Sequence, residues 1–102
     1  MTYVLAPSAA RDLEILWQHL ADEASEAVAD RVIDAISGRC EMLADFPEAG
    51  RLRPDLGPDV RCFPVGQHVI YYRHESALVV IGRVLHGSRD QAAALREPTE
   101  ES

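Results

Sequence analysis

Along this chain the spacing of apolar residues changes once, from a helical period before Pro47 to a period of two after Val60, and that switch separates what can be helix from what can be sheet. Before the switch, Leu13, Leu16, Trp17 and Leu20 fall at i, i+3, i+4 and i+7, one apolar stripe with Asp12, Glu14 and Gln18 outside it. Pro7 suits the first turn of that helix, where its missing N–H costs nothing. The helix is expected to end near Asp22 to Ala24. Ser25 then offers an N-cap for a longer helix whose stripe is Val28, Val32, Ile36, Cys40 and Leu43, supported by Ala29 and Ile33 and closed by Pro47. Two such helices in succession predict an antiparallel hairpin with both stripes turned to a shared neighbour.

After the switch, Val60 to Val65, His68 to Arg73 and Leu78 to Leu85 read as strands, joined by short turns around Val65-Gly66 and Glu75-Ser76. Connections this short make an antiparallel meander. Thr2 to Ala6 reads as a further short strand, and residues 48–59, punctuated by Gly and Pro, read as a loop. The expected fold is α+β: an N-terminal strand, then a helical hairpin packed on an antiparallel sheet of three to four strands, in the order β-α-α-β-β-β, with a short C-terminal segment. In the last strand both alternating sets are apolar, Leu78/Val80/Val84 and Val79/Ile81/Leu85, so it is expected to be covered on both faces. The hairpin can cover one. The other needs the segment from Asp90 to Leu95 or a partner chain. One domain over residues 1–95 is expected, followed by a polar, disordered tail over 96–102.

Composition narrows the function. No stretch approaches the roughly 18 apolar residues of a membrane span, and the N-terminus lacks the pattern of a secretion signal. A cytoplasmic location is therefore expected. Cys40 and Cys62 are the only cysteines, which suits buried structural thiols rather than a zinc site or a disulfide. The net charge is −7, and all ten basic residues are Arg. Three Arg face ten acids over residues 1–49, whereas six Arg face four acids over residues 50–90. Because phosphate neutralisation supplies most non-specific nucleic-acid affinity, a chain with this balance is expected not to bind nucleic acid directly. The outer face of the second helix carries Glu26, Asp30, Asp34, Glu41 and Asp45, relieved only by Arg31 and Arg39. That is a solvated face or a surface for a basic partner.

Three groups of residues compete for a chemical role. Arg61, Arg83 and His86 lie on or just after strands and could converge, Arg to hold phosphate and His to move a proton. His68, His74 and His86 with Glu75 could be metal ligands, but His68 and His74 stand about 20 Å apart along an extended strand, so no metal and no cofactor is expected. Arg51, Arg53, Arg89 and Asp90 could form a docking patch. Phosphate loops, serine triads and activated cysteines have no counterpart in the sequence.

Taken in order, Tyr3 to Pro7, Asp12-Leu13, Ile15, Trp17, Phe46-Pro47, Gly50-Arg51, Leu56, Val60-Arg61, Phe63, Val65-Gly66, Ile70 to Arg73 and Arg83 to Asp90 resemble the pattern of ParE-type toxins in the RelE/ParE superfamily. The stretches GRLRPDLGPDVRCFPVG and RVLHGSRD are the most specific parts. Ala6 departs from the pattern, which usually places a hydroxyl residue there to cap the first helix. The resemblance implies a toxin of a type II toxin-antitoxin system, neutralised by a cognate antitoxin that often carries a ribbon-helix-helix end. It also implies that the target is DNA gyrase, inhibited by protein binding without turnover. RelE-branch relatives cut messenger RNA on the ribosome, and for that alternative Arg61, Arg83 and His86 are the candidate catalytic residues. The branch's lysines and C-terminal tyrosine have no counterpart here. A non-toxic interaction module is a third reading. The partner-contacting or supporting positions expected for the gyrase reading are Arg51, Arg53, Arg61, Phe63, Tyr72, Arg83, His86 and Arg89.

Overall fold

A computed structural model of the protein describes residues 2–87. The segments from Asp90 to Leu95 and from Arg96 onward, and Arg89 with them, lie outside the described residues. The order is β1 (Thr2–Leu5), α1 (Pro7–Glu23), α2 (Glu26–Asp45), β2 (Arg51–Leu52), β3 (Val60–Val65), β4 (His68–Glu75) and β5 (Leu78–His86). Pro7 stands in the first turn of α1 and Ala6 supplies no side-chain cap, as its methyl group requires. Ser25 does cap α2, its hydroxyl accepting from the Val28 N–H at 3.1 Å. At the other end, Pro47 forces Phe46 out of helical geometry, to φ −131° and ψ 72°, and α2 stops.

The strands form one sheet in the order β1-β5-β4-β3-β2. The meander β3-β4-β5 is antiparallel, as its short turns dictate. The first turn places Gly66 at φ 60° and the second places Ser76 at φ 55°. Two features enlarge the sheet beyond the meander. β1 joins β5 in parallel, Thr2 opposite Leu78 through Leu5 opposite Ile81. The loop after α2 also contributes β2, two residues paired with β3. β5 is therefore paired along both edges, while Val79, Ile81 and Val84 enter the core on one of its faces and Leu85 the smaller cluster on the other.

The hairpin covers one face. Ala9, Ile36, Cys40 and Leu43 pack on Ile70, Tyr72, Val79, Ile81 and Val84, with Leu13, Leu16 and Val32 around them. The opposite face holds a smaller cluster of Cys62, Tyr71 and Leu85, flanked by Leu56 and Val69. A register shift between Tyr71 and Tyr72 separates the two pairings Tyr71–Arg83 and Tyr72–Ile81. Two successive tyrosines thus enter two different cores, as the pleat of a strand requires. No helix among the described residues is long and apolar enough to cross a membrane.

Candidate functional site

The functional candidates gather in three places, and in each of them an arginine holds the protein's own backbone or side chains. The first place is the turn between α2 and β2. Tyr72 is 1% exposed, and its hydroxyl donates to the Pro47 carbonyl at 2.7 Å while accepting from the Gly50 N–H at 2.8 Å. Burial raises the pKa of this phenol above its ordinary value. A Cβ on Gly50 would collide with the Tyr72 hydroxyl and ring, so only glycine fits beneath it. Arg61, opposite Tyr72 on β3, donates to the Gly50 carbonyl at 2.8 Å and approaches that of Glu48 at 3.5 Å. Tyr72, expected as a partner-contacting or supporting position, is turned inward at this point. It is sealed from solvent and spends its hydroxyl on the turn. The Arg61 donor seen here is turned to backbone carbonyls in the same turn.

The second place is the far end of β5. β1 stops pairing at Ile81, which leaves the β5 edge beyond it open, and α1 closes that edge with side chains. The Ala6 N–H donates to the Ile81 carbonyl at 2.9 Å, the Ser8 hydroxyl to the Gly82 carbonyl at 2.8 Å, and the Val84 N–H to the Asp12 carboxylate at 3.0 Å. The same carboxylate receives Arg83 in a bidentate pair at 2.8 and 3.0 Å. Both side chains are nearly enclosed, 11% and 12% exposed. Arg83 therefore locks the first helix to the last strand. His86 is exposed one turn of the ladder away, directly opposite His68, with the ring centroids 5.4 Å apart and edge to face. Burial, and secondarily His86, lowers the pKa of His68.

The third place is the β2-β3 surface on the face opposite the hairpin. Arg51 is exposed on β2, and Arg53 forks onto Asp55 at 3.0 and 2.8 Å, holding that carboxyl below its ordinary pKa. Both arginines border a shallow depression with Cys62, Phe63 and Tyr71. Tyr71 is 1% exposed, and its hydroxyl makes no hydrogen bond among the described residues, with the Arg53 charge nearby.

The trio Arg61, Arg83 and His86 is thus not brought together as a set. Arg61 braces the turn after α2, whereas Arg83 and His86 sit at the α1-β5 end. His68 and His74 stand at opposite ends of β4. Among the described residues no group of three or more His, Cys, Asp or Glu side chains could hold a metal ion. Asp12 and Gly50 were named in the sequence as pattern residues without a role. Their partners lie 71 and 22 positions away, beyond what local spacing can reveal.

The arrangement is that of a small α+β protein with a helical hairpin on one face of a mixed sheet and a braced turn at one end. A family model described as the ParE toxin of the type II toxin-antitoxin system, parDE, matches residues 3–91, and the chain belongs to that family. It is 33% identical over 88 residues to Toxin ParE3 of Caulobacter vibrioides, covering 86% of this chain and 88% of that one. It is 37% identical over 83 residues to Toxin RelE3 of the same organism, covering 80% and 89%. Toxin ParE1 of Mycobacterium tuberculosis is 29% identical over 90 residues, covering 86% and 91%. A solved structure titled as the chromosomal ParDE TA system from P. aeruginosa superposes with a TM-score of 0.73 at 20% identity, covering 84% of this chain and 95% of that one, which is a likeness of fold.

Proposed function

We propose that this toxin acts by binding DNA gyrase and inhibiting it, without turnover of its own, and that a cognate antitoxin of ribbon-helix-helix type neutralises it. The observation that carries this reading is the engagement of Arg61 and Arg83 inside the protein. A phosphodiesterase of this pattern needs cationic donors free to meet a scissile phosphate. Here one arginine holds the turn after α2 and the other holds Asp12. The net charge of −7 supports the same reading, since a ribosome-directed nuclease would approach dense RNA against repulsion. The antitoxin would lie along the face of Cys62, Tyr71 and Leu85 and the hairpin, as a helix in a groove or an added strand. Arg51, Arg53, Phe63 and Arg89 are proposed as partner-contacting or supporting positions.

The second reading is a RelE-type endoribonuclease, favoured by the 37% identity to Toxin RelE3 and by the exposed His86. The two separate in one experiment. The chain is induced alone in bacteria while plasmid supercoiling and messenger integrity are followed, and the purified protein is titrated against gyrase. Lost supercoiling with intact messages is the expected result. Unchanged supercoiling at micromolar excess refutes gyrase inhibition, fragmented messages select the nuclease, and normal growth leaves only an interaction module.

A further inference from the structure

The turn that Tyr72 and Arg61 brace carries an aromatic ring that is largely exposed. Phe46 is 64% exposed, and Leu52 on β2, at the same end of the molecule, is 50% exposed. Single exposed apolar side chains are ordinary on protein surfaces. This one is unusual for the rigidity beneath it. The Phe46 N–H donates to the Met42 carbonyl at 2.8 Å, and the Phe46 carbonyl accepts from the Ala49 N–H at 3.0 Å. A residue on either side of that bond is then anchored, Pro47 and Gly50 by the buried Tyr72 hydroxyl and Gly50 again by Arg61. A cleft runs beside the ring, formed with Met42, Pro47 and Ala49. An aromatic side chain on a fixed backbone can be buried by a partner with little further loss of entropy, and such rings are the commonest anchors of protein interfaces.

Charge says what the partner is. Asp45 and Glu48 are exposed and line the cleft beside the ring. Arg51 is paired with Cys62, whose side chain belongs to the opposite face, whereas Leu52 is paired with Arg61 on the side of the turn. Paired residues share a face of the sheet. Beside the aromatic ring the turn therefore offers two exposed carboxylates, while Arg61 is held on the Glu48 and Gly50 carbonyls and the depression bordered by Arg51 and Arg53 lies past Ala49. We infer that Phe46 is the anchor by which the toxin grips its target, and that the receiving surface is an apolar pocket edged by Lys or Arg. Such a basic surface is what a DNA-handling enzyme turns toward its substrate. The inference rests on the proposed reading that the toxin works by binding gyrase, and the antitoxin is left the opposite face.

The test uses three full-length variants, Phe46→Ser, Phe46→Tyr and Glu48→Lys, each checked for unchanged melting and for capture by the antitoxin. Loss of an anchoring ring is expected to raise the concentration needed to inhibit supercoiling about 30-fold or more, the factor that corresponds to a hot-spot residue. The serine variant should also lose growth arrest, while the tyrosine variant keeps both. Glu48→Lys should weaken inhibition and reduce its sensitivity to salt, and it decides the matter if the serine variant does not fold. Arrest by Phe46→Ser at wild-type potency overturns the inference. Arrest that persists but escapes neutralisation also overturns it, and assigns the ring to the antitoxin. If the wild-type chain arrests growth while supercoiling is unchanged, gyrase is not the target, and the comparison of arrest between wild type and Phe46→Ser still judges the ring. A wild-type chain that arrests nothing overturns both.

Discussion

Tyr71 and Tyr72 are neighbours in sequence, equally buried, and opposite in what their hydroxyls do, so removing each hydroxyl in turn is a sharp test of the packing. In Tyr72→Phe the ring remains and two hydrogen bonds vanish, at 2.7 and 2.8 Å. The Gly50 N–H is then buried without an acceptor, which costs about 1–3 kcal/mol, and the half-buried Pro47 carbonyl adds about 0.5–1. A total of about 1.5–4 kcal/mol corresponds to a fall in melting temperature of roughly 6–30 °C for a chain of this size. In urea the midpoint should fall by about 1–2 M at constant slope, because the apolar surface exposed on unfolding is unchanged. Tyr71→Phe removes a hydroxyl that makes no hydrogen bond among the described residues and should be neutral, or stabilise by up to about 1 kcal/mol. Equal losses in the two variants, or a Tyr72→Phe loss below about 0.5 kcal/mol, would refute the account of the braced turn.

Other outcomes follow from the same geometry. Asp12→Ala strands the enclosed Arg83 guanidinium and the Val84 N–H, and should cost about 3–5 kcal/mol in urea unfolding. The double variant Asp12→Ala/Arg83→Met should recover part of that loss. Because burial lowers the pKa of folded His68, the neutral ring is favoured in the folded state. Its contribution is complete above the unfolded value of about 6.5 and is lost as pH falls below it, so thermal scans between about pH 7 and 5 should show declining stability that His68→Gln flattens. The Cys40 thiol is buried and pushed up to about 11, mainly by desolvation. It should resist alkylation at pH 8 in the native protein and react once urea is added.

Much of the fold was legible because local chemistry decides it. The stripe from Leu13 to Leu20, the Ser25 cap and the stop at Pro47 placed both helices within a residue or two, and the alternation after Val60 placed three strands. β2 was read as loop, since Arg51 and Leu52 sit among Gly and Pro with no alternation to mark them. The parallel register of β1 on β5 was invisible, because no local spacing says which distant strand a short apolar segment will join. The site was legible as a set of residues but not as roles. In the sequence Arg61, Arg83 and Tyr72 stand as partner-contacting or supporting positions, and their contacts with Gly50, Asp12 and the Pro47 turn are long-range ones that local spacing does not reveal. Phe46 appeared only as part of a family pattern, because its significance lies in exposure on a fixed backbone, which sequence does not encode locally.

The parallel seam between β1 and β5 also sets the timing of assembly. Thr2 must wait for Leu78, so the opening strand has no sheet to join until nearly all of the described chain has been synthesised. The helical hairpin, held by near neighbours, can form early; the sheet it covers cannot, because closing so long a loop precedes any reward from pairing. A nascent chain interrupted anywhere before β5 therefore lacks the strand on which both β1 and β4 depend. For a poison made inside the cell that bears it, this topology withholds the harmful shape until translation is nearly done. Partial products would then be open, protease-sensitive and harmless.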